Sequence, residues 1–153
     1  MESIIVSYAA KVGMLSSGFF LLIGMLTGVW KYAQIHMSEN SKSHPYVDIA
    51  HRSSLLYAAA CMTLAGLSLL SDWTDRINLY LVISNVVFYF FAVVSYILHG
   101  LLRDTDNQFE QPHRLGRAHM PPALVTTFMI LLIVAEVGAT FGLFVGAVLG
   151  VMT

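Results

Sequence analysis

Residues 77–102 read INLYLVISNVVFYFFAVVSYILHGLL, and these 26 residues contain no Asp, Glu, Lys or Arg. An α-helix rises about 1.5 Å per residue, so about 20 apolar residues cross a hydrocarbon core of roughly 30 Å. Hydrocarbon offers no partner to backbone N–H and C=O groups, and a helix satisfies them within the segment itself. This stretch therefore predicts a transmembrane helix.

The rest of the chain repeats this pattern three times. Residues 12–30 and 53–71 carry no charge, and between Ala118 and Thr153 the only charge is Glu136. The first apolar run is longer than that of a signal peptide. The sequence thus predicts an all-α fold, an antiparallel four-helix membrane bundle with short loops. It is one domain over residues 1–153, with helices at about 10–32, 50–71, 76–102 and 120–151.

Composition and charge narrow the class of protein. The chain is 57% hydrophobic and 11% charged, whereas soluble domains are about 25% charged. A net charge of -1 with eight basic residues excludes nucleic acid as a partner. The single cysteine, Cys61, excludes an internal disulfide and a cysteine-based zinc site. Six of the basic residues lie near the first and third loops, so we expect those loops in the cytoplasm and both termini outside. The expected location is the bacterial cytoplasmic membrane.

Two sets of small or polar residues fall on single helix faces. Glycines recur every four residues at 138, 142, 146 and 150, and again at 24 and 28. Such faces favour close helix packing, either within the bundle or between copies of the chain. On the third helix, a polar stripe consists of Asn85, Tyr89, Tyr96 and His99. These groups should face protein, water or a ligand, and hydrogen bonds between helices would explain them without a ligand.

Two ionisable residues are candidates for chemistry. His51 is predicted to open the second helix, either as an interfacial residue or as an axial haem ligand. Zinc would need three or four protein ligands, whereas haem needs only an axial one. His99 is the candidate for a second axial histidine, and the remaining histidines (His36, His44, His113 and His119) are expected in solvent. Glu136 is interpreted as structural or protonated, with a direct role as the alternative.

Together, the Ala50-His51 pair and the run Ser84-Asn85-Val-Val-Phe88-Tyr89 resemble styrene oxide isomerase, and the first span is similar to related hydroxylaminobenzene mutases. The resemblance covers the helix count, the first helix loosely and short matches on the second and third. It implies a haem b whose ferric iron is held by His51, a substrate pocket lined by Asn85 and Tyr89, and a homotrimer. Two positions depart from the family, which has Asn at Tyr57 and an acidic residue at Leu81.

The reaction that this resemblance implies is the isomerisation of a small hydrophobic aryl epoxide to an aldehyde. Ferric iron with an open axial position would act as a Lewis acid, and a 1,2-hydride shift would follow ring opening. Tyr89, together with Tyr57, would orient the epoxide oxygen, and Asn85 would hold Tyr89 or the substrate. Two alternatives remain open at this point: a mutase acting on N-aryl hydroxylamines, and a haem-binding electron carrier or sensor without enzymatic activity.

Overall fold

The computed structural model describes residues 7–152 and confirms the predicted all-α four-helix fold. The helices are α1 (Tyr8–Met37), α2 (Pro45–Leu70), α3 (Asp75–Leu102) and α4 (Pro122–Met152). All four are long and apolar enough to cross a membrane, so the chain is a multi-pass membrane protein. Two short antiparallel strands, β1 (Arg114–Leu115) and β2 (Ala118–His119), pair in the connection before α4.

The start of α2 differs from the sequence prediction. The helix begins at Pro45, where the missing N–H of proline costs nothing, and the His44 ring accepts the N–H of Tyr46 at 3.3 Å. Helix α1 continues to Met37. The connection between α1 and α2, called loop 1, therefore comprises only residues 38–44, fewer than the sequence predicts. The expectation that His51 opens α2 was wrong, because His51 lies in the second turn.

Glycines allow α1 and α2 to pack closely. A methyl group at Gly24 would lie 2.6 Å from the Leu55 side chain, and one at Gly28 would lie 2.9 Å from the His51 ring. Helix α1 makes its largest set of contacts with α2. The glycine face of α1 therefore packs within the bundle.

The connection between α2 and α3, residues 71–74, is called loop 2. It packs against the glycine face of α4. Trp73 Nε1–H donates to the Gly142 carbonyl at 3.0 Å, and Asp72 N–H donates to the Gly146 carbonyl at 3.0 Å. A side chain at position 146 would overlap the Trp73 ring, while Gly138 faces open space. Most of this stripe is thus used by the chain's own loop.

Contacts at the two ends of the bundle establish the direction of the helices. Loop 2 lies against the C-terminal half of α4, and the Ala9 N–H at the start of α1 donates to Asp75 Oδ1 at 3.5 Å. The two ends of the described chain therefore lie at one end of the bundle, as predicted. Loop 1 and the α3–α4 connection, residues 103–121, called loop 3, lie at the other.

Candidate functional site

The polar stripe of α3 faces the interior, as predicted. Asn85 is fully buried, Tyr89 is 8% exposed and His99 is 1% exposed. Asn85 Nδ2 donates to the Leu81 carbonyl one turn earlier at 3.0 Å. Its Oδ1 accepts from the Tyr89 hydroxyl at 3.4 Å and from Thr140 Oγ1 of α4 at 3.1 Å. Asn85 therefore ties α3 to α4 and holds the Tyr89 hydroxyl in place.

Tyr57 and Tyr89 come together from two helices. Their rings stack with centroids 4.2 Å apart and planes 11° apart. Phe20 of α1 meets both rings edge-on, at 6.0 Å and 6.4 Å. Two of the predicted site residues thus form one aromatic pair, called here the tyrosine pair, and Asn85 holds the Tyr89 hydroxyl.

His51 occupies a different position, between α1 and α2. Its Nδ1 lies 2.7 Å from the Gly24 carbonyl oxygen. A carbonyl only accepts, so Nδ1 carries the proton and donates it, and Nε2 is left with a lone pair. Among residues 7–152, no hydrogen-bond partner meets Nε2. One turn away, Asp48 pairs with Lys31 of α1 at 2.6 Å and with Arg52 at 3.0 Å, which fixes this end of α2 against α1.

The structure does not bring His51 to the tyrosine pair within one chain. Six residues separate His51 from Tyr57, and at about 100° per residue they point to sides of α2 about 120° apart. In the described part of the chain, no hydrogen bond or ring contact joins His51 to Tyr57, Asn85 or Tyr89. Of the four predicted site residues, three are therefore assembled and the fourth stands apart.

Glu136 lies next to the tyrosine pair on the α4 side. It lines a groove of about 520 Å³ together with Tyr89 and Thr140. Its Oε1 is buried, and within the described residues it has no hydrogen-bond partner. Since no cation pairs with it there, Glu136 is a polar group of the groove and not half of an ion pair.

A buried histidine–carboxylate pair was not foreseen from the sequence. His99 Nδ1 and Asp104 Oδ1 are 2.8 Å apart, with side chains 2% and 4% exposed. The second carboxylate oxygen of Asp104 accepts the Gly116 N–H from loop 3. Loop 3 also buries His113, whose Nδ1 lies 3.0 Å from the Gln108 carbonyl. The expectation that His113 lies in solvent was wrong, because loop 3 folds back over the helix ends.

Hydrogen bonding keeps Asp104 ionised. Burial alone would raise the pKa of its carboxyl group, but hydrogen bonds from His99 and from the Gly116 N–H outweigh that effect. The pKa of Asp104 therefore lies below its ordinary value. A carboxylate only accepts hydrogen bonds, so the facing nitrogen of His99, Nδ1, is the protonated one.

The contact between Gly28 and His51 yields a first prediction. In Gly28→Ala the new methyl group would lie 2.9–3.0 Å from the His51 ring, so the ring must shift and its hydrogen bond to Gly24 weakens. We expect a loss of stability of about 1 kcal/mol, measured as a lower thermal midpoint in detergent.

Gly18→Ala is the matched control, because nothing lies within 4 Å of a methyl group at Gly18. It should leave the midpoint unchanged or raise it, since alanine is favoured over glycine in a helix by about 0.5–1 kcal/mol. Equal midpoints for the two variants would contradict the close packing of His51 on α1.

No family model, no curated protein and no solved structure matches this chain. The site is therefore interpreted from its own geometry and from the residues that carry the resemblance described above.

Proposed function

We propose that this protein is a membrane-bound, haem b-dependent isomerase that converts an aryl epoxide of the styrene oxide type to the aldehyde. The observation that carries the proposal is the hydrogen bonding of the His51 ring. Histidines that ligate metals commonly donate their other ring N–H to a carbonyl or carboxylate, which fixes the tautomer. His51 shows this arrangement on the Gly24 carbonyl and leaves Nε2 without a partner among the described residues.

The residues around His51 fit an axial haem ligand. One histidine is sufficient, because the porphyrin supplies the other four nitrogens. The side chain is only partly buried, and its ring lies beside Gly24 and Gly28 of α1. When bound, ferric haem supplies a Lewis acid that polarises a C–O bond of the epoxide.

The protein's own contribution lies in the tyrosine pair and Asn85. As the epoxide opens, negative charge would develop on its oxygen, and the Tyr89 hydroxyl would be a donor suited to that charge once its one hydrogen turns from the long 3.4 Å bond with Asn85 Oδ1. Asn85 accepts from that hydroxyl and is itself held by Thr140 and the Leu81 carbonyl, so it positions Tyr89. The apolar surroundings exclude water, which would otherwise convert the opened epoxide to a diol.

The separation of His51 from Tyr89 supports a homo-oligomeric enzyme. A single chain does not assemble both groups, whereas the Tyr89 groove of about 520 Å³ is open at the surface of α4. A second copy that applies its α1–α2 surface to this groove would bring them together. The resemblance to the isomerase family implies that the assembly is a trimer, in the bacterial cytoplasmic membrane.

The decisive experiment is expression with haem supplementation and purification in detergent, followed by absorbance spectroscopy and an assay with styrene oxide. We expect a Soret band that shifts on addition of azide or imidazole, and formation of phenylacetaldehyde. A bis-histidine haem would be low-spin and would resist both ligands, which would indicate an electron carrier. Conversion of an N-aryl hydroxylamine without conversion of the epoxide would indicate a mutase. Absence of haem from the supplemented protein would overturn the proposal.

A further inference from the structure

A second cavity, of about 380 Å³, lies between α3, the first half of α4 and loop 3. Tyr57 and Tyr96 form its inner wall. Most of the remaining lining is apolar and comes from one face of α4, with Leu124, Val125, Phe128, Met129 and Leu132. The volume falls within the range of small-molecule sites, about 300–1,000 Å³. We call this space the loop 3 cavity.

Polar groups converge where loop 3 covers the end of α3. Ser95, His99 and Gln108 line the cavity there. Ser95 Oγ donates to Gln108 Oε1 at 3.2 Å, and the Gln108 N–H donates to the Tyr46 hydroxyl. Ser95 and Gln108 are thus bonded to each other and to Tyr46, and the His99 ring offers a further polar atom.

That atom is His99 Nε2. Asp104 holds Nδ1–H at 2.8 Å, and the Tyr46 ring packs against the imidazole with centroids 4.9 Å apart. The ring is thus fixed in position, and in the neutral tautomer that donates Nδ1–H to Asp104 the Nε2 atom is an acceptor. No hydrogen-bond partner for Nε2 is present in the part of the chain that the structure describes, although the residue is 1% exposed. Since His99 lines the cavity, Nε2 is free to accept a hydrogen bond from a ligand.

We propose that the loop 3 cavity binds a small aromatic molecule that carries an O–H or N–H group, with the ring against the apolar face of α4 and the donor on His99 Nε2. Asp104 acts as a positioning residue, because it determines which imidazole nitrogen accepts. The apolar walls favour an aromatic ring, and the Nε2 acceptor calls for a donor on the ligand.

This site is separate from the one proposed for the epoxide. An aryl epoxide has an acceptor oxygen and no donor, so it cannot satisfy Nε2. The tyrosine pair stands between the two spaces: Tyr57 lines the loop 3 cavity, and Tyr89 lines the groove that contains Glu136. The binding test below needs no haem and no turnover, so its failure would leave the isomerase proposal untouched.

A matched pair of probes tests the proposal. Phenol has a donor, and anisole replaces that hydrogen by a methyl group while the ring is kept. We expect phenol to bind the full-length protein in detergent about tenfold more tightly than anisole, because anisole leaves Nε2 unpaired. Binding is followed by the ¹⁵N chemical shift of the His99 ring, which separates bound phenol from phenol dissolved in the micelle. Equal affinities for the two probes, or no shift with phenol, would overturn the proposal.

Variants address the two sides of the cavity independently. His99→Gln should reduce phenol affinity about tenfold, whereas His119→Gln, in the exposed part of loop 3, should not change it. Val125→Trp fills the cavity from α4 without touching His99 or Asp104, and should abolish the phenol-induced shift. This second variant keeps the test sound if His99→Gln does not fold. An unchanged phenol response in Val125→Trp would place the probe elsewhere and refute the site.

Discussion

Replacement of His51 by alanine is expected to remove haem from the purified protein. The axial ligand would be lost, and the nearby side-chain nitrogens of Lys31 and Arg52 are held in ion pairs with Asp48. We expect the ratio of haem to protein, read from the Soret band, to fall by about tenfold or more, since weaker changes around metal ligands already cost 10–100-fold. Epoxide isomerisation should disappear with it.

Three further measurements make this result specific. His119→Ala removes an exposed histidine and should retain full haem content. Added imidazole should restore part of the Soret band in His51→Ala, because it supplies the missing nitrogen in the space left by the side chain. Full haem content and an unchanged spectrum in His51→Ala would exclude His51 as the ligand. Loss of haem in His99→Ala alone would move the ligand to α3.

Removal of one oxygen atom at Tyr89 is expected to reduce turnover and leave haem in place. In Tyr89→Phe the ring still stacks on Tyr57, but the donor for the developing oxyanion is gone. Such donors are typically worth about 10²–10³ in rate, and the Lewis acid takes part of that stabilisation. We therefore expect kcat for styrene oxide to fall by about tenfold to a hundredfold, with little change in KM. The measurement is phenylacetaldehyde formation at saturating epoxide, normalised to haem.

Tyr80→Phe provides the matched control, because Tyr80 lies on the same helix and is 66% exposed. It should retain the wild-type rate. A raised KM with unchanged kcat in Tyr89→Phe would assign the hydroxyl to substrate binding alone. A wild-type rate would remove Tyr89 from the mechanism.

Spacing alone was sufficient to predict the four helices and the buried stripe on α3. Charge is so costly in hydrocarbon that the gaps between charged residues mark the spans directly. Helical periodicity then places Asn85 and Tyr89 on one face, and the structure confirms that both are buried. The start of α2 was missed, although Pro45 and an acidic residue at Asp48 are signals for the first turn of a helix.

Contacts that depend on chain reversal could not be read from periodicity. Arg103 adopts a left-handed conformation, with φ of 50°, and this turns the chain so that Asp104 lies beneath His99. No repeating sequence pattern marks this turn or the path of loop 3 back over the helix ends. From the sequence, Asp104 therefore looked like an ordinary loop residue. The sequence could have predicted that His51 and Tyr57 lie on different sides of α2. Residues six positions apart do not share a face of an α-helix.

The uneven packing of α4 has a consequence for how molecules reach the interior. All of its buried residues lie in the C-terminal half, where loop 2 contacts the helix: Ala139, Leu143, Gly146 and Ala147. The preceding half covers the loop 3 cavity while burying none of its own residues. Local separation costs least where few apolar contacts are lost, so this half is the weakest part of the bundle wall. For a compound dissolved in the acyl chains, a lateral path past this half-helix leads into the loop 3 cavity, whose lining includes Tyr57, and never leaves the lipid phase.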